Sequence, residues 1–227
     1  MQAIELLNII RDGFEHAYRL KDNGKFAESP EGKRGNNSRR SAKFVFEVGK
    51  RLYKHIDPDE NQFKLHVQKV EDDGKKDPGE WLFDICITKS IKISDSYKNK
   101  NDENKNSAQM NTEILWIVES EYNTSIREFA ADFGKLYCSY AQNLLYLHGL
   151  NQKTERGRNA FVKRRIKTIE EVWNNRSNDS QRLFIGFWPS PEIKDGKSLW
   201  DAENQDESLV DWIRLFEWRG NSLCEIK

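Results

Sequence analysis

Three carboxylates stand out in this sequence: Asp84 in GEWLFDICIT, and Glu119 and Glu121 in EILWIVESEY, each attached to an apolar run that reads as a β-strand. Side chains two apart on a strand share a face, so Glu119 and Glu121 present neighbouring carboxylates. Asp84 meets them if its strand pairs with theirs. Like charges at close range repel and raise one another's pKa, and a divalent cation with oxygen preference relieves that repulsion most easily. Mg²⁺ or Mn²⁺ is the natural occupant. The competing reading is a solvated strand edge, because carboxylate pairs at strand ends occur in many unrelated sheets.

Bringing these acids together requires two adjacent strands and elements to cover them. Ile4, Leu7, Ile10, Phe14 and Tyr18 recur at helical spacing and predict an amphipathic helix over residues 2–20, despite Gly13. A connection over 21–40, rich in Gly, Asn, Ser, Lys and Arg, leads to a second helix at about 39–55. Phe44, Val48 and Leu52 form its stripe, and Asp57 and Pro58 close it. The period then becomes two: Phe63, Leu65 and Val67 alternate with Lys64, His66 and Gln68 in a strand with one wet face. After a turn region over 71–79, residues 80–88 form the next expected strand. Phe83, Ile85 and Ile87 share one of its faces; Leu82, Asp84 and Cys86 share the other. The polar stretch 89–111 is expected to be a long loop or the extension of a hairpin.

A third strand over 113–122 is apolar from Ile114 to Val118 without alternation, as befits a central strand covered on both faces. Thr124 or Ser125 can cap a long helix in which Ile126, Phe129, Phe133, Leu136, Tyr140, Leu144 and Leu147 keep helical spacing up to Gly149. A short helix through Trp173, a fourth strand over 182–188, a helix over 208–218 and a short strand at 222–226 complete an α/β pattern without internal repeats.

At 227 residues, with nothing resembling a linker, the chain is expected to form one domain around one core. Thirty-seven basic residues balance thirty-seven acidic ones, so the overall field favours neither nucleic acid nor membrane, and any such attraction must be local. No stretch approaches the ~20 apolar residues of a membrane span. The three widely spaced cysteines, Cys86, Cys138 and Cys224, show neither zinc spacing nor a disulfide framework, which predicts a reducing, cytoplasmic setting.

The order helix, strand, strand bearing Asp84, strand bearing Glu119 and Glu121, long helix, strand resembles the restriction-endonuclease-like superfamily of PD-(D/E)XK nucleases over about residues 39–190. The resemblance implies an α/β fold with a mixed central sheet of about four to five strands flanked by helices. It makes residues 1–227 one nuclease-like domain, with helices 2–20 and 208–218 as additions. It implies a metal-dependent endonuclease hydrolysing phosphodiester bonds, with DNA as the expected substrate, in restriction or defence. Carried over residue by residue, Asp84 and Glu119 become ligands of Mg²⁺ or Mn²⁺, Glu47 in KFVFEVGKR joins them from the preceding helix, and Glu121 assists the attacking water. Dimerisation is a further family expectation.

Two departures accompany this resemblance. Phe83 stands where the family pattern has Pro, a common variation, and Glu121 replaces the usual Lys, removing a cation expected to orient water and stabilise charge. Lys135, one turn from Asp132 on the long helix, is the expected compensation. The missing Lys also supports the alternative of a nuclease scaffold without catalysis, binding nucleic acid or protein. Glu47, four residues before Arg51, is equally suited to a surface ion pair.

Local positive charge is present in two places. Lys153, Arg156, Arg158, Lys163, Arg164, Arg165 and Lys167 are opposed only by Glu155 within 153–167, and Lys33, Arg34, Arg39, Arg40 and Lys43 precede the helix bearing Glu47. Both are candidate phosphate contacts, set against the reading of a solvated face. His16, His55, His66 and His148 show no ligand spacing, and Trp200, Trp212 and Trp218 suit a core or a protein interface.

Overall fold

The structure is a computed structural model that describes residues 1–20, 32–71, 82–94, 107–176, 180–194, 197–201 and 208–227. Much of the expected 21–40 connection, and the turn following Glu71, lie outside the described residues. Helix α1 (Ala3–Arg19) begins with a capping box between Gln2 and Glu5, which satisfies backbone donors of its first turn. Helix α2 (Gly32–Ile56) packs against it. A Cβ at Gly13 would lie 2.9 Å from Val48 Cγ2, so the glycine inside α1 is what lets the two helices approach.

Among the described residues seven strands form one mixed sheet. They are β1 (Phe63–Val67), β2 (Ile85–Ser94), β3 (Ser107–Glu121), β4 (Asn143–Leu150), β5 (Arg182–Pro189), β8 (Arg214–Arg219) and β9 (Ser222–Glu225), adjacent in that order. β6 (Ile193–Lys194) and β7 (Lys197–Ser198) make a separate small hairpin. The central β3, β4 and β5 run parallel, and all the outer pairings are antiparallel. Parallel neighbours need crossovers, supplied by α3 (Ile126–Cys138) between β3 and β4 and α4 (Glu155–Trp173) between β4 and β5.

Alternation along the strands sorts the core into two layers. Ile85, Ile87, Trp116, Val118, Leu145 and Leu147 pack under α1 and α2, whereas Cys86, Ile117, Leu144 and Tyr146 pack under α3 and α4. Glu119 therefore continues the α3/α4 face of β3, and Ser120 the α1/α2 face. Among the described residues no helix is long and apolar enough to cross a membrane.

Four sequence expectations need correction. The sheet has seven strands, not four to five. The long helix from Ile126 to Leu147 ends at Cys138, where Ser139 turns extended, and residues 143–150 become β4, buried on both faces. A continuous apolar run cannot be told from a buried helix by period alone, which is why this strand was hidden. The C-terminal helix over 208–218 is instead a 3₁₀ turn, Leu209–Trp212, followed by β8; Gly220, with φ of 66°, opens the two-residue turn into β9. Finally, β2 starts at Ile85 and not at Glu80. Bends at 82–84 break the expected alternation, leaving Leu82 75% exposed and placing Phe83 in the α3/α4 layer, away from Ile85 and Ile87. The stretch 89–111 forms ladder at both of its ends, from Lys89↔Glu113 to Ser94↔Ser107, with 95–106 outside the described residues.

Gly149 marks a tight crossing at the end of β4. A Cβ there would lie 2.5 Å from the Tyr122 carbonyl oxygen and 3.0 Å from Ser190 Cβ. Backbone cannot step aside as a flexible side chain can, so Gly149→Ala is expected to destabilise by about 1–3 kcal/mol. The check is a fall in Tm of about 2–4 °C per kcal/mol.

Candidate functional site

The acids lie where β2 begins and β3 ends, beneath α3. The β2–β3 ladder runs as far as Ile85↔Val118, and Asp84 Oδ2 then accepts a 2.7 Å hydrogen bond from Ser120 N, replacing the next ladder bond with a carboxylate. Glu119 is 1% exposed. Its Oε2 accepts from Lys135 Nζ at 3.2 Å, and the same ammonium lies 2.8 Å from Asp132 Oδ1. Lys135 can reach down because Ser125 caps α3 by accepting from Glu128 N, and Phe129, Phe133 and Leu136 anchor the helix on the sheet. Glu121 Oε1 accepts from Asn123 N at 2.5 Å, and its carboxyl also meets that of Asp132.

Burial and crowding of negative charge set the ionisation here. Burial, reinforced by the Asp84 charge, pushes the Glu119 carboxyl up to about 8, although Lys135 opposes the shift. Burial and then Asp132 push Glu121 up to about 7, against the hydrogen bond from Asn123. Burial alone would lower the Lys135 ammonium, but Asp132 and Glu119 outweigh it and hold that group well above its ordinary range. From about pH 5 to 8, the folded chain keeps protons on Glu119 and Glu121 that an unfolded chain releases near 4.5. The folded state binds more protons, so stability is full at low pH and lost as pH rises through that window. Thermal unfolding without divalent ions should show Tm declining from pH 5 to 8.5, with a shallower decline in Glu119→Gln.

Glu119 Oε1, the Ser120 hydroxyl and the Tyr146 hydroxyl are buried here without hydrogen-bond partners among the described residues. An orphaned carboxylate oxygen among further carboxylates is hard-ligand chemistry, and it fits Mg²⁺ or Mn²⁺. As the side chains stand, no three acidic, His or Cys groups among the described residues form a metal-holding cluster. Lys135 instead lies between Glu119 and Asp132. Asp84, Glu119, Glu121 and Lys135 thus share one neighbourhood.

Glu47 does not join that neighbourhood. It is on the flank of α2 turned away from the cavity that Asp84 and Glu121 line, and is buried in a cluster with Lys43 Nζ at 3.0 Å, Arg51, and His16 Nε2 at 3.5 Å. The assignment of Glu47 as a metal ligand is corrected accordingly. Of the cationic candidates, Arg156, Lys163, Arg164 and Lys167 are exposed on α4 and Arg39 is half-buried. Arg158, Arg165 and Arg40 are buried and do not present their charge as expected. Arg158 stacks 3.7 Å from the Trp212 ring centroid, and Arg40 lies 5.9 Å from that of Trp200. Lys33 and Arg34 lie in the stretch whose side chains are outside the description.

Arg165 has become a positioning residue. Its Nε donates to His148 Nε2 at 3.0 Å and its Nη2 to the Thr124 carbonyl at 3.3 Å, tying α4 to the segment leaving β3. Burial, aided by Arg165, pushes the His148 imidazole down to about 3, so it stays neutral and accepts that bond. Sequence reasoning missed Asp132 as a member of the acid group and Tyr146 altogether. Asp132 was signalled by its i,i+3 relation to Lys135; Tyr146 required β4 to be recognised.

No protein-family model, curated protein or solved structure matches the chain. The class therefore rests on the fold and the site: an α/β protein with a seven-stranded mixed sheet, helices on both faces, and an acidic pocket at the end of its third strand.

Proposed function

We propose that this protein is a metal-dependent phosphodiesterase of restriction-endonuclease-like type, acting on DNA in a cytoplasmic restriction or defence setting, with a homodimer as the working form. The observation carrying this reading is Lys135 reaching from α3 to within 3.2 Å of Glu119, the strand acid beside Asp84. An acid pair with an adjacent ammonium supplies both the negative ligands and the positive charge that phosphoryl chemistry needs. Glu119 Oε1 and the Asp84 carboxylate would hold Mg²⁺ or Mn²⁺, which when bound would polarise phosphate and lower the pKa of water. Glu121, poised at about 7, suits acceptance of a proton from the attacking water near neutrality. Asp132 crowds Glu121 with a second carboxyl and holds Lys135 in place. Lys135 stabilises negative charge developing on phosphorus oxygens.

One observation favours a second reading, binding without cleavage: the Lys135 ammonium already lies against both Glu119 and Asp132, leaving the acids partnered by a protein cation. Incubating plasmid and linear duplex DNA with Mg²⁺ or Mn²⁺ separates the two. Cleavage that stops with chelator supports the hydrolase; retention of DNA without cleavage in any divalent metal supports the second reading.

A further inference from the structure

Cations are concentrated at a place that shares only Lys43 with the two basic groups of the sequence. On one flank of α2, Ser38, Ser41, Ala42 and Val45 line the cavity that holds Asp84 and Glu121. On the other flank a cleft of about 530 Å³ is lined by five cations, Lys43, Lys50, Arg51, Lys54 and Lys69, against two acids, Glu47 and Glu71. At 100° per residue these two sets fall on opposite sides of the helix. The segment leaving β1 connects them, with Val67 and Gln68 lining the first cavity and Lys69 to Glu71 the second.

The cations of the cleft are not equivalent. Lys43 and Arg51 are engaged by Glu47, and Lys69 lies 2.6 Å from Glu71. Lys50 and Lys54 are exposed on successive turns of α2, and no acidic side chain among the described residues engages either. The Cβ atoms of residues four apart on a helix lie about 5–6 Å from one another, and the flexible stems above them let two ammonium groups reach adjacent phosphates of one strand. In a chain of zero formal charge, a local excess of three positive charges is a directed attraction and not a by-product of composition.

We propose that this cleft seats the phosphate backbone of a nucleic-acid strand that crosses α2 on its way to the acidic pocket, with Lys50 and Lys54 as the phosphate contacts. The inference rests on the phosphodiester reading of that pocket for its choice of ligand. A small isolated anion would be better served by an enclosed pocket than by two exposed ammonium groups along a helix. The stripe on α4 is a weaker candidate, because acids stand at both of its ends, Glu155 at the start and Glu170 and Glu171 just beyond Lys167, which lies 3.8 Å from Glu171.

The test is fluorescence anisotropy of labelled single-stranded and duplex oligonucleotides with the full chain in EDTA, so that chemistry plays no part. Lys50→Ala/Lys54→Ala is compared with Lys163→Ala/Lys167→Ala; both pairs are exposed on helices that tolerate alanine, and circular dichroism verifies folding. The α2 pair should weaken binding about tenfold near 0.1 M salt and reduce the slope of log affinity against log salt by about 1.5 to 2. The α4 pair should change both quantities less. Absence of oligonucleotide binding by the wild type, undiminished binding in the α2 variant, or a larger loss in the α4 variant overturns the inference. Because no cleavage is required, a protein that binds through α2 and never cuts would defeat the hydrolase reading and leave this one standing.

Discussion

Glu119→Gln is expected to reduce metal-dependent phosphodiester cleavage on the order of 1000-fold, and Asp84→Asn to do the same. Both changes keep side-chain volume while removing the anionic oxygen that a divalent ion requires. Lys135→Ala should reduce turnover by about 100- to 1000-fold, the effect of deleting one charge-stabilising group. The distinguishing result is the double variant. Lys135 Nζ contacts Glu119 Oε2 at 3.2 Å, so Glu119→Gln/Lys135→Ala should lose little more than the worse single change. Single-turnover rates with saturating Mn²⁺ measure this directly, circular dichroism verifies that each variant is folded, and a shallower fall in Tm with pH marks the loss of the Glu119 carboxyl while Glu121 still titrates.

Glu47→Ala is expected to destabilise the protein by about 3–5 kcal/mol, the characteristic effect of stranding a buried charge. The Lys43 side chain is 2% exposed; without Glu47 its ammonium would lose the carboxylate at 3.0 Å while keeping the 3.0 Å bond to the Val70 carbonyl. Urea unfolding should show the loss, with Tm lower by about 10 °C at 2–4 °C per kcal/mol. The pH dependence has the opposite sign to that of Glu119. Burial raises the Glu47 carboxyl, but Arg51, Lys43 and His16 outweigh it and hold it below its ordinary 4.5. Its contribution is therefore present above 4.5 and lost as pH falls through the depressed value, so wild type and variant should converge in acid.

These effects show which parts of the structure could be read from the residues. The wet and dry faces of β1, the capped start of α3 and the amphipathic α1 follow from period and caps, which are local properties. So does the shared face of Glu119 and Glu121, fixed once β3 is extended. β4 was not legible, because a strand buried on both faces carries no period to separate it from the helix before it, and its absence from the reading removed Tyr146 and the parallel crossover. Burial of Arg158 and Arg165 was equally hidden: a run of cations reads as a solvated stripe until the rings of Trp212, Phe129 and Phe161 are placed against it. Glu47 depended on which flank of α2 meets the strand acids, a tertiary fact that no spacing encodes.

The most direct measurement is anomalous diffraction from crystals equilibrated with Mn²⁺. The expected result is a peak bonded to carboxylate oxygens of Asp84 and Glu119 at about 2.1–2.3 Å, absent in Glu119→Gln. Saturating Mn²⁺ that leaves Lys135 as the sole partner of Glu119, with ions bound only elsewhere, would contradict it.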